Sequence, residues 1–376
     1  MVAAALAPPV APVRRARGAP KRRGVKIDLL REDARQQRLV RSSVGRALSD
    51  GGRSWLEEHA VADSTLTSYQ IKYATWRDFC QRSGLPTGSR QNDEVALLEW
   101  ADAAFSLGMA SADGTAMLAA YTHHHPENGR FGQPLARVAR ALQAWGKLVP
   151  PAGRVPPAFS MVCGIAVALT ELGRRDMAVG ALVALSAYLR PGELIGLRGG
   201  DVVRPMPQFG PAYHHWSLVL GSTAAEEARP TKTGIYDDSV ILDHEELQWL
   251  SPMLEMMVSS REPLEYLWDF NDQLFRQKFE EAAALAGLAR LGLVPYSLRH
   301  AGPSWDAIRR RRSQREIQRR GRWASPTSVQ RYERSSRVVA TLQELPEETL
   351  LFLQHCEMHL AELVTGRIAA PHFPSR

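Results

Sequence analysis

The chain has 376 residues, of which 44% are hydrophobic and 23% charged, a composition typical of globular proteins and a length that allows two domains. Its formal net charge of +7 favours a polyanionic partner, although a solvated basic surface alone gives the same balance. The three cysteines (Cys80, Cys163 and Cys356) are too few and too widely spaced for a disulfide framework or a zinc pattern, and they fit a reducing compartment. No apolar run approaches the length of a membrane span.

Residues 1–50 are predicted to form a basic, disordered tail. Alanine and proline dominate the first 27 residues, and no acidic residue occurs before Asp28. The basic residues of this segment are Arg14, Arg15, Arg17, Lys21, Arg22, Arg23 and Lys26. Such a composition suits an arm that neutralises DNA phosphates, a nuclear localisation patch, an organelle transit peptide or an unstructured leader. The sequence does not distinguish among these four roles.

Residues 51–148 are predicted to form a small helical domain. A first helix is expected to begin with Ser64 as its N-cap and to run to Cys80, because apolar and aromatic residues recur there at helical spacing. Further helices are expected over 93–107, 114–124 and 133–146. The run His123-His124-His125 is interpreted as a helix end before a loop, since three adjacent histidines on a helix do not face one metal ion.

A proline-rich segment over 149–157 is predicted to be a linker, followed by a second domain over 158–376. Helices are expected over 159–172 and 175–185, strands over 216–220 and 239–242, and helices again from Leu247 onward. The predicted fold class is therefore mainly α with a small antiparallel β-sheet, arranged in two domains.

Two short motifs in the second domain carry residues suited to phosphate chemistry. The segment Leu189-Arg190-Pro191-Gly192-Glu193 predicts a helix end, a turn and a new helix, with the Glu193 charge in the first turn of that helix. The segment Thr231-Lys232-Thr233-Gly234 is expected on the loop between the two strands. An arginine can grip a phosphate with two hydrogen bonds, and a lysine on a turn can donate a proton.

Two further motifs follow in the last third of the chain. Tyr296-Ser297-Leu298-Arg299-His300 contains a second candidate phosphate-binding arginine. Gly321-Arg322-Trp323 lies 24 residues after Arg299, counted to Trp323, and Arg331-Tyr332 ends nine residues after that tryptophan. An indole N–H can donate a hydrogen bond but cannot act as a base, and a tyrosine hydroxyl can attack a phosphodiester.

The densest positive charge in the chain lies between these motifs. Eight arginines occur within fourteen residues, accompanied by Glu316 as the one acidic residue. They are Arg309, Arg310, Arg311, Arg312, Arg315, Arg319, Arg320 and Arg322. Because such a run repels itself, it is predicted to bind DNA phosphates, with nuclear import as the alternative.

The order and spacing of the four motifs resemble those of the tyrosine recombinase (phage integrase) family. The resemblance implies a helical, SAM-like core-binding domain and an integrase-like catalytic domain that clamp double-stranded DNA, and a homo-tetramer on paired sites. It also implies the roles of the matching residues. By this resemblance, Tyr332 is the nucleophile that forms a 3′-phosphotyrosyl bond, and Arg190 and Arg299 hold the phosphate. Lys232 protonates the leaving oxygen, and Trp323 donates a hydrogen bond to the phosphate. Glu193 and His300 are supporting residues.

One departure and several alternatives accompany this resemblance. Tyr296 stands where the family usually has histidine. Its hydroxyl can still donate a hydrogen bond to a phosphate oxygen, which keeps it among the expected catalytic residues, but a phenol is a poorer proton shuttle near neutral pH. A catalytically decayed or host-adopted DNA-binding relative is therefore the alternative function, and a type IB topoisomerase is a third reading. The resemblance implies no metal, ATP or other cofactor, and a location with DNA inside the cell, in the nucleus if the source is eukaryotic. The C-terminal segment 347–364 is expected to be helical and to pack either on its own domain or on a neighbouring protomer.

Overall fold

The computed structural model describes residues 60–150, 155–221, 238–326, 329, 332 and 335–374. The chain divides into two compact units between residues 154 and 155, inside the segment predicted as a linker. Lys232 and Arg331, and the tail over 1–50, lie outside the described residues, so the expectations for them remain predictions. No helix among the described residues is long and apolar enough to span a membrane.

The first unit is helical, as the sequence predicts. Its helices are α1 (Asp63–Arg82), α2 (Arg90–Ser106), α3 (Ser111–His124) and α4 (Ala136–Leu148), with a 3₁₀ turn at Pro126–Asn128. The predicted N-cap was wrong: Ala62 caps α1, so Ser64 already lies inside the helix. Trp76, Tyr121 and Trp145 are buried in the core of this unit, where aromatic side chains contribute much of the apolar area removed from water.

The three histidines end α3, as interpreted from the sequence. His125 is the C-cap of α3, and its Nε2 atom lies 2.9 Å from the hydroxyl of Tyr73 on α1. The His124 ring stacks on the Tyr73 ring with centroids 4.1 Å apart. These contacts give the histidines a packing role between two helices.

The second unit combines helices with one small sheet, and the predicted fold class is confirmed. Its helices are α5 (Phe159–Glu171), α6 (Arg175–Ala187), α7 (Pro191–Ile195), α8 (Ser251–Ser259), α9 (Asp272–Leu285), α10 (Leu298–Ile308), α11 (Gln314–Arg320), α12 (Ser335–Gln343), α13 (Glu347–Met358) and α14 (Leu360–Thr365). Shorter 3₁₀ turns occur at Gly199–Asp201, Pro207–Phe209, Pro211–Tyr213, Glu245–Leu250, Ala289–Leu291 and Pro295–Ser297. Leu247 thus lies in a 3₁₀ turn, and the next α-helix begins only at Ser251.

The sheet has three antiparallel strands in the order β1-β2-β3. They are β1 (Val202–Val203), β2 (Ser217–Leu220) and β3 (Asp238–Ile241). Leu218 pairs with Val202 on one side and with Val240 on the other, and all three are buried, so one face of the sheet lies on the core. Strands β2 and β3 lie within one residue of their predicted bounds, whereas the two-residue strand β1 was not predicted.

Helices α5 and α6 form the centre of this unit, where nearly all of their residues are buried. The C-terminal helices pack onto this centre, with Leu353, Cys356 and Leu363 buried in the same core. Of the two expectations for the C-terminal segment, packing on its own unit is the one found here. The segment is divided into α13 and α14 at His359, which has φ −115° and ψ 26°.

Candidate active site

The site begins where α6 ends. Tyr188 follows Ala187 in the left-handed region, with φ 53° and ψ 43°, and its side chain is fully buried. Helix α10 approaches this turn closely at Gly302, where an added Cβ would lie 2.1 Å from the Leu185 carbonyl oxygen. The turn directs the Tyr188 carbonyl toward Arg299 and Arg322, whose Nη1 and Nη2 atoms donate to it at 2.5 and 3.3 Å.

Glu193 lies among three guanidinium groups. Pro191 starts α7 and Arg190 is its N-cap, so Glu193 in the first turn accepts from the Arg190 backbone N–H at 2.8 Å and from Arg190 Nη1 at 2.5 Å. Its Oε2 atom also lies 2.7 Å from Arg322 Nη2 and 3.7 Å from Arg299 Nη1. Burial disfavours the carboxylate charge, but Arg322, Arg190 and Arg299 outweigh it and lower the pKa of Glu193. One carboxylate therefore lies between three arginines that come from three separate motifs.

Arg299 is buried, with 1% of its surface exposed. Its Nη2 atom donates to the Gly321 carbonyl at 2.6 Å, while Nη1 bonds the Tyr188 carbonyl. Burial, reinforced by the nearby charge of Arg190, lowers the pKa of Arg299 to about 10, so the guanidinium stays charged at neutral pH. The guanidinium carbon lies 5.0 Å from the centre of the Trp323 ring, within range of a cation–π contact.

Trp323 connects this arginine to the candidate nucleophile. The ring lies so close to Gly321 that a Cβ there would be 1.9 Å from Trp323 Cζ3, so this position requires glycine. The centroids of Trp323 and Tyr332 are 5.0 Å apart. Tyr332 is 2% exposed and packs in a small apolar cluster with Ile317 and Val329.

The Tyr332 hydroxyl lies 2.8 Å from Nδ1 of His300, and the two rings are stacked with centroids 5.5 Å apart. Tyr296 meets the His300 ring edge-on at 5.0 Å and is 39% exposed. The structure thus brings together seven of the residues that the sequence motifs indicate. They are Arg190, Glu193, Tyr296, Arg299, His300, Trp323 and Tyr332.

The arginine run divides into inward and outward members. Arg322, whose side chain is 5% exposed, enters the Glu193 cluster, while Arg312 and Arg320 both bond Asp243, at 2.5 and 3.2 Å. Arg311 pairs with Glu246 and Arg309 with Glu357. Arg310, Arg315 and Arg319 are exposed. The premise that the run needs phosphates for neutralisation was wrong for the five paired members, because carboxylates from distant parts of the same chain neutralise them; DNA binding by the run stays a prediction.

A buried polar network beneath the site was missed by sequence reasoning. The Tyr188 hydroxyl donates to Asp306, which also accepts from Arg312, and His244 Nε2 lies 3.0 Å from the same carboxylate. The other ring nitrogen of His244, Nδ1, lies 2.8 Å from the Ser186 hydroxyl. Since a carboxylate only accepts, Nε2 of the neutral ring donates to Asp306 and Nδ1 accepts from Ser186. The available signal was Asp306 itself, an acidic residue in the turn that follows Gly302 and Pro303 of α10.

No protein-family model and no curated protein matches the chain. Among solved structures it is similar to the XerH site-specific recombinase bound to difH substrate, in the pre-cleavage complex, with 13% identity and a TM-score of 0.48 over 73% of this chain and 79% of that one. The post-cleavage complex of XerH with palindromic difH gives 13% identity and a TM-score of 0.49 over 72% and 78%. The XerA recombinase gives 17% identity and a TM-score of 0.32 over 80% and 94%.

Proposed function

We propose that this chain is a site-specific tyrosine recombinase that cuts and rejoins DNA through a 3′-phosphotyrosyl intermediate. One observation carries the proposal. Tyr332 lies against Trp323, Trp323 lies against Arg299, and Arg299 shares Glu193 with Arg190. A nucleophile and two phosphate-binding groups from separate motifs thus meet in one cluster, as phosphodiester transfer requires.

The donors of the two arginines suit a phosphate. A guanidinium has five N–H groups, and Arg299 uses one N–H from each of its two Nη atoms for the carbonyls of Tyr188 and Gly321. We assign its other N–H groups to the binding of a phosphate oxygen. Arg190 is tethered to Glu193 through Nη1, and its side chain keeps 22% exposure, so it can meet DNA from the solvent side.

In this reaction the Tyr332 oxygen attacks phosphorus, and the bond from phosphorus to the 5′ oxygen breaks. Arg190 and Arg299 stabilise the charge that develops on the non-bridging oxygens, and Trp323 donates to one of them. Lys232 protonates the departing 5′ oxygen, a role that rests on the resemblance of its motif. The phosphotyrosyl bond conserves the phosphodiester energy, so rejoining follows by reversal of these steps.

The same resemblance supports double-stranded DNA as the partner, a clamp formed by the two units, and a homo-tetramer on paired sites. The integration or excision of a mobile element is the class of biological event that such an activity serves. The exposed arginines Arg310, Arg315 and Arg319 lie between the motifs and offer contacts to DNA phosphates.

Two observations favour the alternative, a DNA-binding relative without activity. Tyr332 is 2% exposed, and Tyr296 replaces the usual histidine. Such a protein would bind DNA with a strong salt dependence and form no covalent bond.

A covalent capture assay tests the proposal. The full chain is incubated with a duplex library in which a randomised segment carries single-strand nicks, so that a cleaved end diffuses away and the protein stays attached. We expect DNA to remain bound to the protein after denaturing washes. Peptide mass spectrometry should then locate the attached nucleotide on Tyr332. Tyr332→Phe should abolish the adduct, and Tyr213→Phe, a matched change at a 57% exposed tyrosine, should preserve it. Salt-sensitive binding without any adduct would establish the alternative, and an adduct on a different residue would overturn the assignment of Tyr332.

A further inference from the structure

We propose that His300 accepts the hydroxyl proton of Tyr332 as the phenol attacks phosphorus, an inference that rests on the proposed function. His300 Nδ1 lies 2.8 Å from the Tyr332 hydroxyl, within the reach required of a general base. The stacked rings fix this geometry, with an interplanar angle of 29°. His300, which directly follows Arg299 in the chain, is thereby assigned the role of proton acceptor.

The burial of Tyr332 makes a nearby proton acceptor necessary. The ring is 2% exposed among Tyr188, Ile317 and Val329, so bulk water has little access to it. A free phenolate in such surroundings is costly, because burial disfavours the charged form. The proton must therefore leave for a neighbouring group while the bond to phosphorus forms.

The neighbouring side chains indicate which group takes the proton. Tyr296 faces His300 edge-on, but a phenol, with a usual pKa of about 10, does not accept protons near neutral pH. An imidazole, with a usual pKa of about 6.5, does. Arg299 lies against the Trp323 ring, which in turn lies against Tyr332, and a guanidinium has no acceptor.

His300 begins neutral, with its proton on Nε2 and the Nδ1 lone pair toward the Tyr332 hydroxyl. The phenol oxygen forms its bond to phosphorus, the proton moves to Nδ1, and the 5′ oxygen leaves with the electron pair of the broken bond. In the rejoining step the 5′ hydroxyl attacks phosphorus and returns its proton to Lys232, while the imidazolium returns its proton to the departing tyrosine oxygen.

The test separates proton removal from leaving-group protonation. A nicked duplex of the captured sequence is made with an ordinary scissile phosphodiester or with sulfur in place of the 5′ bridging oxygen. A thiolate leaves without protonation, because thiols are far more acidic than alcohols. We expect His300→Ala to slow single-turnover adduct formation by about 10²–10⁴ on both substrates. Lys232→Ala should be slow only on the oxygen substrate.

Two further variants exclude a structural effect. His300→Asn keeps a hydrogen-bonding side chain but cannot take up a proton, and it should be as slow as His300→Ala. Added imidazole should restore part of the His300→Ala rate. His355→Ala, at an exposed histidine on α13, should leave the rate unchanged. Thermal midpoints and DNA affinity of each variant establish that the fold is intact.

The pH profile gives an independent readout. The wild-type rate should fall when acid protonates the imidazole, and this decline should be absent from His300→Ala. A wild-type rate in His300→Asn, or a His300→Ala defect that disappears on the sulfur substrate, would overturn the inference while leaving the recombinase proposal intact. Absence of an adduct from the wild-type protein on every substrate would overturn the proposed function, and the inference with it.

Discussion

Nη2 of Arg322 lies 2.7 Å from Oε2 of Glu193, although the two residues are 129 positions apart in the chain. Arg322 has a positive φ of 55°, and its side chain is 5% exposed. Burial lowers the pKa of its guanidinium, and Glu193 opposes that shift. Arg322 therefore positions the carboxylate that holds Arg190 and Arg299, a role different from the DNA contact expected from the sequence.

Glu193→Gln should destabilise the second unit and lower activity. Glutamine has a similar size but no charge, so three guanidiniums would share a neutral amide. We expect the free energy of unfolding at neutral pH to fall by about 1–3 kcal/mol, measured by urea denaturation. Glu357→Gln is the matched control, since its partner Arg309 is 52% exposed and such pairs contribute about 0–1 kcal/mol.

The difference between wild type and Glu193→Gln should depend on pH. A carboxyl whose folded pKa is lowered stabilises the fold above its unfolded pKa, and this stabilisation is lost as pH falls through the folded value. The two proteins should therefore converge in acid. Equal stability of both at neutral pH would show that Glu193 does not neutralise the cluster.

Arg190→Lys and Arg299→Lys should both lose about 10²–10³ in the rate of adduct formation, because lysine lacks the planar two-bond grip. Their stabilities should differ. Arg299 bridges the carbonyls of Tyr188 and Gly321 in the interior, so Arg299→Lys should also lower the thermal midpoint. Arg190 is partly exposed, and its replacement should leave the midpoint nearly unchanged. A loss of only twofold in rate would assign a structural role to the arginine concerned.

Asp306→Asn should be among the most destabilising changes in the chain. Asp306 is fully buried and accepts hydrogen bonds from Tyr188, His244 and Arg312. Burial opposes its charge, but these partners, His244 first, lower its pKa to about 2. The neutral amide no longer gives Arg312 a carboxylate at this position. We expect the free energy of unfolding to fall by about 3–5 kcal/mol, measured by calorimetry or denaturant unfolding. Asp269→Asn, at a carboxylate 73% exposed, should cost little.

This network also predicts the acid sensitivity of the wild-type protein. Burial lowers the pKa of His244, so the folded state resists its protonation and stability declines as pH falls below about 6.5. The contribution of Asp306 is lost later, as pH falls from about 4 through its folded value near 2. Asp306→Asn should show a smaller decline in this acid range than the wild-type protein, and an unchanged profile would contradict the assignment.

Arg315→Gln and Arg319→Gln test the outward side of the arginine run. Both residues are exposed on α11. If each contacts one phosphate, each variant should reduce the slope of log affinity against log salt by about 0.9. Fluorescence anisotropy with a labelled duplex measures this slope. Arg276→Gln, at an exposed arginine on α9, should leave it unchanged, and equal effects of all three would indicate a general charge effect.

The sequence predicted the elements with strong periodicity and the residues within short motifs. Helices α5 and α6 and the turn at Pro191 were found within two residues, because apolar spacing and turn residues are local signals. The partners of Arg312 and Arg322 were not predicted, since buried ion pairs form between segments that only tertiary folding brings together. Strand β1 was missed because two residues are too few to display a period.

The two hydrogen bonds of Arg299 are accepted by main-chain carbonyls, at Tyr188 and Gly321. A substitution can delete a side-chain partner but leaves a peptide carbonyl in place. The path of the backbone therefore sets the orientation of this arginine, at the left-handed turn after α6 and at the end of α11. Substitutions among the surrounding side chains can alter what the site accepts while the Arg299 guanidinium keeps its direction, whereas an insertion or a proline in either turn would redirect it.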